Sequence, residues 1–277
     1  MHIDAHQHFW KYDASEYGWI DDSLAALRRD FLPADLKPEL ETNGFQGCVA
    51  VQARQSLEET RWLMELAEAS PFIFGVVGWV DLQSKQLRSQ LEEFAGNSKF
   101  VGVRHVVQSE PDERFLMRPE FLRGVGMLEE FDLAYDILIY PQHLRAAAEF
   151  VSQFPRQRFV LDHLGKPDIK SGRRDVWERG IWELAKFSNV YCKLSGMVTE
   201  ADWTGWQAED FAPFLAVAFE CFGAGRLMVG SDWPVCLVAG QYGHVMDLVK
   251  NHLSGLSVEE REAVLGKNAR QFWRLQV

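Results

Sequence analysis

The stretch Ile3-Asp4-Ala5-His6-Gln7-His8 opens the chain with a short, apolar-leaning run that ends in two histidines. Reading it as a strand decides the fold, because seven comparable runs follow. They span Gly47-Gln52, Ile73-Val80, Phe100-Val106, Leu133-Tyr140, Arg158-His163, Val190-Leu194 and Leu227-Ser231. Most are almost continuously hydrophobic, the pattern of parallel strands covered on both faces. Between them, amphipathic spacing predicts helices over Ser56-Ala69, Leu87-Ala95, Pro119-Glu130, Pro141-Phe154, Val176-Phe187 and Phe211-Cys221. Eight strands alternating with helices in 277 residues have the size and rhythm of a (β/α)8 TIM barrel. A doubly wound open sheet would alternate in the same way, but no GxGxxG turn follows the first run. The tail opens with Ser257-Val258-Glu259-Glu260, a capping box, and predicts a helix reaching about Leu275. No linker or repeat interrupts the chain. A single α/β domain over residues 1–277 is expected, with Asp13-Ala34 and Met197-Gln207 as long loops.

Composition narrows the function. Hydrophobic residues make up 47% of the chain and charged ones 25%, too apolar a balance for disorder. The 40 acidic and 29 basic residues leave a net charge of -11, which repels a phosphate backbone and argues against nucleic-acid binding. Apolar stretches such as Phe72-Val80 are strand-sized and far short of a membrane span. The first residues lack the basic and apolar segments of a secretory signal. Cys48, Cys192, Cys221 and Cys236 form no CxxC pair, as expected of reduced thiols. These features predict a soluble, cytoplasmic protein acting on a small molecule; a homodimer is compatible with them.

His6 and His8 are two apart on the first predicted strand, so both imidazoles face the same side. At the C-terminal end of a barrel strand they would project into the mouth, where two converging nitrogens suit a divalent metal. His-x-His alone is a weak signal. It gains weight from His163, which ends the sixth run before a Gly-Lys-Pro turn, and from Asp232, just past the eighth. Individually, His163 could be an edge histidine bonded to a carbonyl and Asp232 a helix cap.

Four segments carry a resemblance: Asp4-Ala5-His6-Gln7-His8, Asp162-His163-Leu164-Gly165-Lys166-Pro167, Gly230-Ser231-Asp232-Trp233-Pro234 and Gly266-Lys267-Asn268-Ala269-Arg270-Gln271-Phe272-Trp273. In this order they resemble the amidohydrolase superfamily, and within it the lactone-hydrolase branch. That branch includes sugar lactonases and the hydrolases of pyrone-dicarboxylate and sulfomuconolactone. The resemblance spans residues 2 to 275 and implies a distorted TIM barrel with its site at the strand C-termini. It implies a catalytic centre of His6, His8, His163 and Asp232, holding one divalent metal, with zinc the favoured ion; some relatives work without one. Strand five ends Ile139-Tyr140-Pro141 and offers no ligand to bridge two metals. Lys193 falls inside strand seven and is not expected to bridge either.

Lactone hydrolysis requires an activated water and a polarised carbonyl. Asp232, aided by His163, is expected to take the water's proton. Arg104 and His105 end the fourth run, where they could meet the carbonyl or the carboxylate product; Arg104 pairing with a structural acid is the alternative. Gln52, Tyr140 and Lys166 are candidates for substrate hydroxyls, and Trp10 and Trp233 for stacking on a sugar ring. Trp79 shares that placement but is equally suited to packing.

Arg54, Arg104 and Arg145 are few guanidinium forks for a dianion. A neutral sugar-acid lactone of the L-fucono or L-rhamnono type is therefore expected. The alternatives are an anionic dicarboxylate or sulfo-lactone, or decarboxylation by a metal on the same scaffold.

Overall fold

The computed structural model describes residues 1–277, and every predicted run becomes a strand. They are β1 (Ile3–Gln7), β2 (Gly47–Val51), β3 (Ile73–Gly78), β4 (Phe100–His105), β5 (Ala134–Ile137), β6 (Phe159–Leu161), β7 (Val190–Leu194) and β8 (Leu227–Val229). All pair in parallel and in sequence order. Eight helices follow them in turn: α1 (Pro33–Thr42), α2 (Leu57–Ala69), α3 (Leu87–Phe94), α4 (Pro119–Leu128), α5 (Leu144–Ser152), α6 (Asp175–Ala185), α7 (Ala208–Phe222) and α8 (Tyr242–His252). This is a (β/α)8 barrel. No helix is long and apolar enough to cross a membrane.

Two helices are absent from the sequence expectation. Helix α1 carries Pro38 inside it and buries only Leu36 and Leu40, so its apolar period is faint. It begins inside the stretch read as loop, at Pro33. Helix α8 has regular spacing at Tyr242, Val245, Met246 and Val249. It is the helix that an eighth β-α unit requires. The tail is helical as its capping box predicts, with Ser257 Oγ accepting from Glu260 N. A wide turn at Ala263–Lys267 divides it into α9 (Val258–Glu262) and α10 (Asn268–Trp273).

Inside the barrel, Ile3, Ala5, Val49, Val51, Val77, Ala134, Val160 and Met228 form an apolar layer with Phe272, Trp273 and Leu275. The tail thus plugs one end of the barrel. The outward strand residues, including Cys48, Tyr135 and Phe159, pack with the helices in a second, larger core. Burying apolar surface on both faces of the sheet supplies the main driving force, about 25 cal/mol per Å².

Helix α4 lies so close to the loop after β3 that one position on it allows no side chain. A Cβ on Gly124 of α4 would come within 1.9 Å of the Leu82 carbonyl oxygen. Backbone must move to admit it. Gly124→Ala is expected to destabilise the fold by about 1–3 kcal/mol, although alanine is the better helix former. Chemical denaturation will read this as a lower midpoint at unchanged slope.

Candidate active site

The barrel does not close by an ordinary ladder between β8 and β1. It closes through the residues beyond β8. Asp232 N donates to His6 O (2.8 Å), and His8 N donates to Trp233 O (2.7 Å). Asp4 locks the seam from behind: its carboxylate accepts from Ser231 N (2.9 Å) and Ser231 Oγ (2.6 Å). Tyr242 of α8 donates to the same carboxylate at 3.1 Å. A Cβ on Gly230 would lie 2.7 Å from His6 Cβ, so the close approach at this seam depends on glycine.

Strand β1 also carries a bulge. Asp4 pairs with Cys48 but Gln7 with Ala50, so β1 holds one extra residue. The bulge shifts the alternation. Ile3 and Ala5 join the interior apolar layer, yet His6 and His8 also face inward. Asp4 and Gln7 turn away, toward Ser231 and Cys48.

His163 sits not on β6 but on the tight turn after it, with φ of +54°, and Asp232 has φ of +57°. Such left-handed backbone costs about 1–3 kcal/mol per residue and persists only where surroundings impose it. It turns both side chains toward the His6–His8 pair.

The four groups converge. His6 Nε2 lies 3.2 Å from His8 Nε2, and His8 Nε2 lies 3.2 Å from Asp232 Oδ1. Asp232 Oδ1 is 3.8 Å from His6 Nε2 and 3.9 Å from His163 Nε2. Ligands held about 2.0–2.1 Å from a tetrahedral zinc stand about 3.3 Å apart; His6, His8 and Asp232 come together near that spacing, while His163 stands outside this trio, 3.9 Å from Asp232. The backs of the rings are held as well. His8 Nδ1 faces the Val51 carbonyl at 2.8 Å, and His163 Nδ1 faces Ser195 Oγ at 2.9 Å. A carbonyl only accepts, so a neutral His8 carries its proton on Nδ1 and offers a lone pair at Nε2.

Electrostatics point the same way. Burial, outweighing the attraction of Asp232 and Asp162, pushes His163 down to about 4. Burial, ahead of the opposing pull of Asp162, holds His6 well below the ordinary imidazole value. Asp232 goes down although burial opposes it, because His163, His8 and His6 surround its charge. A neutral His6 and His163 beside an ionised Asp232 are the kind of donors a metal needs.

Beneath this centre lies a layer of buried charge that the sequence reading did not foresee. Lys193 Nζ reaches Asp136 Oδ2 (2.5 Å), Asp162 Oδ1 (2.9 Å) and His6 Nδ1 (3.2 Å). Arg104 Nη1 donates to Asp162 Oδ2 (3.1 Å) and stands 3.3 Å from His6 Nε2, while Nη2 bonds the Gln52 carbonyl. Lys193, an ammonium between two carboxylates, holds the floor together. The alternative given for Arg104, pairing with an acid, is what its geometry shows, and the same residue also lines the cavity.

Above the four groups opens a cavity of about 740 Å³. His8, Arg104, Tyr140, His163, Lys166 and Asp232 line it, together with Glu16, Trp19, Arg54, Gln108, Glu200 and Trp203. Several expected residues stand elsewhere. His105 follows Arg104 on β4 and therefore faces outward; it bonds Glu110 at 2.7 Å and stacks on Phe115. Trp10 is buried, donating to the Arg29 carbonyl and packing against Phe31. Trp233 packs against Phe9 and Phe31. Gln52 is buried behind the wall, donating to the Arg104 carbonyl at 3.3 Å. The indoles that reach the cavity are Trp19 and Trp203, both on the two stretches read as loops. Membership of a mouth loop was the available signal, and strand-end position was the misleading one.

The walls are charged but paired. Arg54 meets Glu16 at 2.8 Å, and Lys166 meets Glu200 at 3.0 Å. Burial would depress the Lys166 ammonium, but Glu200, ahead of Tyr140 and Asp232, holds it above its usual value. No cation lining the cavity lacks its own carboxylate.

The amidohydrolase family profile matches residues 3–275. An L-fucono-1,5-lactonase from Burkholderia multivorans is 41% identical over 286 residues, covering 99% of this chain and 96% of its own. An L-fucono-1,5-lactonase from Burkholderia ambifaria is 40% identical over 243 residues, covering 87% of this chain and 83% of its own. A crystal structure of an amidohydrolase from Burkholderia multivorans with bound zinc superposes with a TM-score of 0.94, at 41% identity and 99% coverage of both chains. The chain belongs to the amidohydrolase family.

Behind the cavity wall, Glu59 accepts from Ala53 N and Arg54 N, both at 2.9 Å, and so shapes the loop that carries Arg54. Burial, only partly offset by those two amides, pushes its carboxyl up to about 7. Between the ordinary carboxyl value near 4.5 and about 7, the folded protein therefore keeps a proton that the unfolded chain has released. That contribution to stability is full below this window and is lost as pH rises through it, by up to about 1.4 kcal/mol per pH unit. The buried neutral histidines act in the opposite sense, so the comparison is with Glu59→Gln, which removes this titration alone. The stability of Glu59→Gln relative to wild type is expected to rise from pH 5 to pH 7. Denaturant titrations at each pH measure it, and a constant difference would refute the assignment.

Proposed function

We propose that this protein hydrolyses a neutral sugar-acid lactone of the L-fucono or L-rhamnono type, opening it to the aldonate. The observation that carries the reading is the meeting of His6, His8, His163 and Asp232 at the cavity floor. The likeness to L-fucono-1,5-lactonases supports it. So does the pairing of every wall cation, which leaves no free charge for a dicarboxylate. A divalent ion held by these four residues, zinc being favoured, would polarise the lactone carbonyl and lower the pKa of a bound water to about 7.

The chain's own groups do the rest. Ionised Asp232 accepts a proton as water oxygen bonds to the lactone carbon. The Arg104 guanidinium, beside His6 on the floor, stabilises the oxyanion that forms. As the carbon–oxygen bond of the ring breaks, Asp232 returns its proton to the departing alkoxide. Tyr140, Lys166 and Trp203 hold the ring hydroxyls and the ring face. The four cysteines are unpaired, which fits a reducing, cytoplasmic setting.

A pH-indicator screen of the purified protein against aldonolactones and dicarboxylate lactones, with and without chelator, tests the reading. Acid release from aldonolactones is expected. Asp232→Asn should lower kcat/KM by about 10²–10⁴-fold. Activity confined to dicarboxylate lactones, or release of carbon dioxide in place of a simple acid, would overturn it.

A further inference from the structure

Lys166 and Glu200 come from the turns after β6 and β7, and both side chains are largely shielded from solvent. Each is fixed by its own backbone. Lys166 N donates to His163 O at 2.8 Å, and the Glu200 carbonyl accepts from Lys170 N at 2.9 Å, tying the two turns together. Lys166 Nζ also lies 5.4 Å from the centre of the Tyr140 ring, across the same wall. The pair is therefore held in the cavity by rigid backbone on both sides. A paired ammonium and carboxylate offer donors and acceptors together, which suits hydroxyl groups that both give and take hydrogen bonds. They offer little to a carboxylate, whose approach to Lys166 places it beside the charge of Glu200.

We propose that Glu200 is a specificity determinant that keeps carboxylated lactones out of the site by occupying Lys166. Glu200 is the excluding element and Lys166 the latent anion site. The proposal rests on the lactonase reading of the cavity, and it names which members of that substrate class are rejected and by which residue.

The test compares wild type, Glu200→Gln and the double variant Glu200→Gln with Lys166→Met. Glutarate is the probe, titrated against the fluorescence of the cavity tryptophans Trp19 and Trp203. Glu200→Gln is expected to bind glutarate at least about tenfold more tightly than wild type, the scale of one hydrogen bond to a charged group. The gain should vanish in the double variant and shrink in 0.5 M salt, roughly as a screened charge pair does. Equal affinity in wild type and Glu200→Gln, or a gain that survives loss of Lys166, would overturn the proposal. In parallel, the ratio of kcat/KM for a dicarboxylate lactone over an aldonolactone should rise about tenfold, carried by KM. A variant that binds glutarate tightly yet keeps the wild-type ratio also overturns Glu200 as the determinant. If no variant opens any lactone, the functional reading fails, while the glutarate titration still decides whether Glu200 masks Lys166.

Discussion

The contact on which this structure turns is the carboxylate of Asp4 against the backbone and hydroxyl of Ser231. Strands β1 and β8 are the two edges of the parallel sheet, and β8 is only three residues long. Leaving them apart would strand backbone donors and acceptors in the barrel wall. The bonds at Asp4, His6 and His8 bring the segment after β8 onto β1 instead. The same bonds put Asp232 within reach of His8. Barrel closure and assembly of the site are thus one event, and a residue 228 positions from Asp4 becomes its neighbour's partner because the sheet must close.

Asp4 shows how buried charge is managed around the seam. Burial lifts its carboxyl to about 6, while Ser231, His6 N and Tyr242 pull in the opposite direction. The layer of Lys193, Asp136, Asp162 and Arg104 meets a harder case, four charges with little access to water. Their mutual pairing offsets a desolvation cost that would amount to several kcal/mol for each ion left alone. Burial raises Asp136 to about 7, with Asp162 repelling its charge and Lys193 offsetting only part of the rise. Asp162 moves well down against burial, since Lys193, His6 and Arg104 all favour its charge. The layer contributes no obvious stability over an apolar floor. What it contributes is position, since His6 is pinned between Lys193 and Arg104.

The eight-strand order was legible because parallel strands buried on both faces leave unbroken hydrophobic runs, and eight of them leave few alternatives. His6, His8, His163 and Asp232 stood out because each ends or follows such a run. What stayed hidden needed three dimensions. The bulge in β1 changes which residues face inward, yet nothing in Ile3-Asp4-Ala5-His6 marks where the extra residue sits. His105 and Arg104 share a strand end, and only the pleat tells that one faces the cavity and the other Phe115. Lys193 and Asp136 lie mid-strand in apolar surroundings, where a charge reads as an irregularity until its partner is seen across the barrel. Trp10 and Trp233 sat at strand ends as expected, but the aromatic cluster around Phe31 claims them for packing.

The vertical order of the barrel follows from these constraints. An apolar plug fills one end, paired charges fill the middle, and His8, His163 and Asp232 face the cavity. Each level makes the next workable. The plug keeps water from the charge layer, which strengthens its pairing. The charge layer sets a pair of cations beside His6, and burial, aided by Lys193 against the larger opposing pull of Asp162, favours the neutral ring. Asp232 stays ionised among these rings, which places a proton acceptor for water on the cavity floor. The cavity walls repeat the theme at larger scale: each cation is matched by a carboxylate, so the one unbalanced reactive group is the aspartate on the floor.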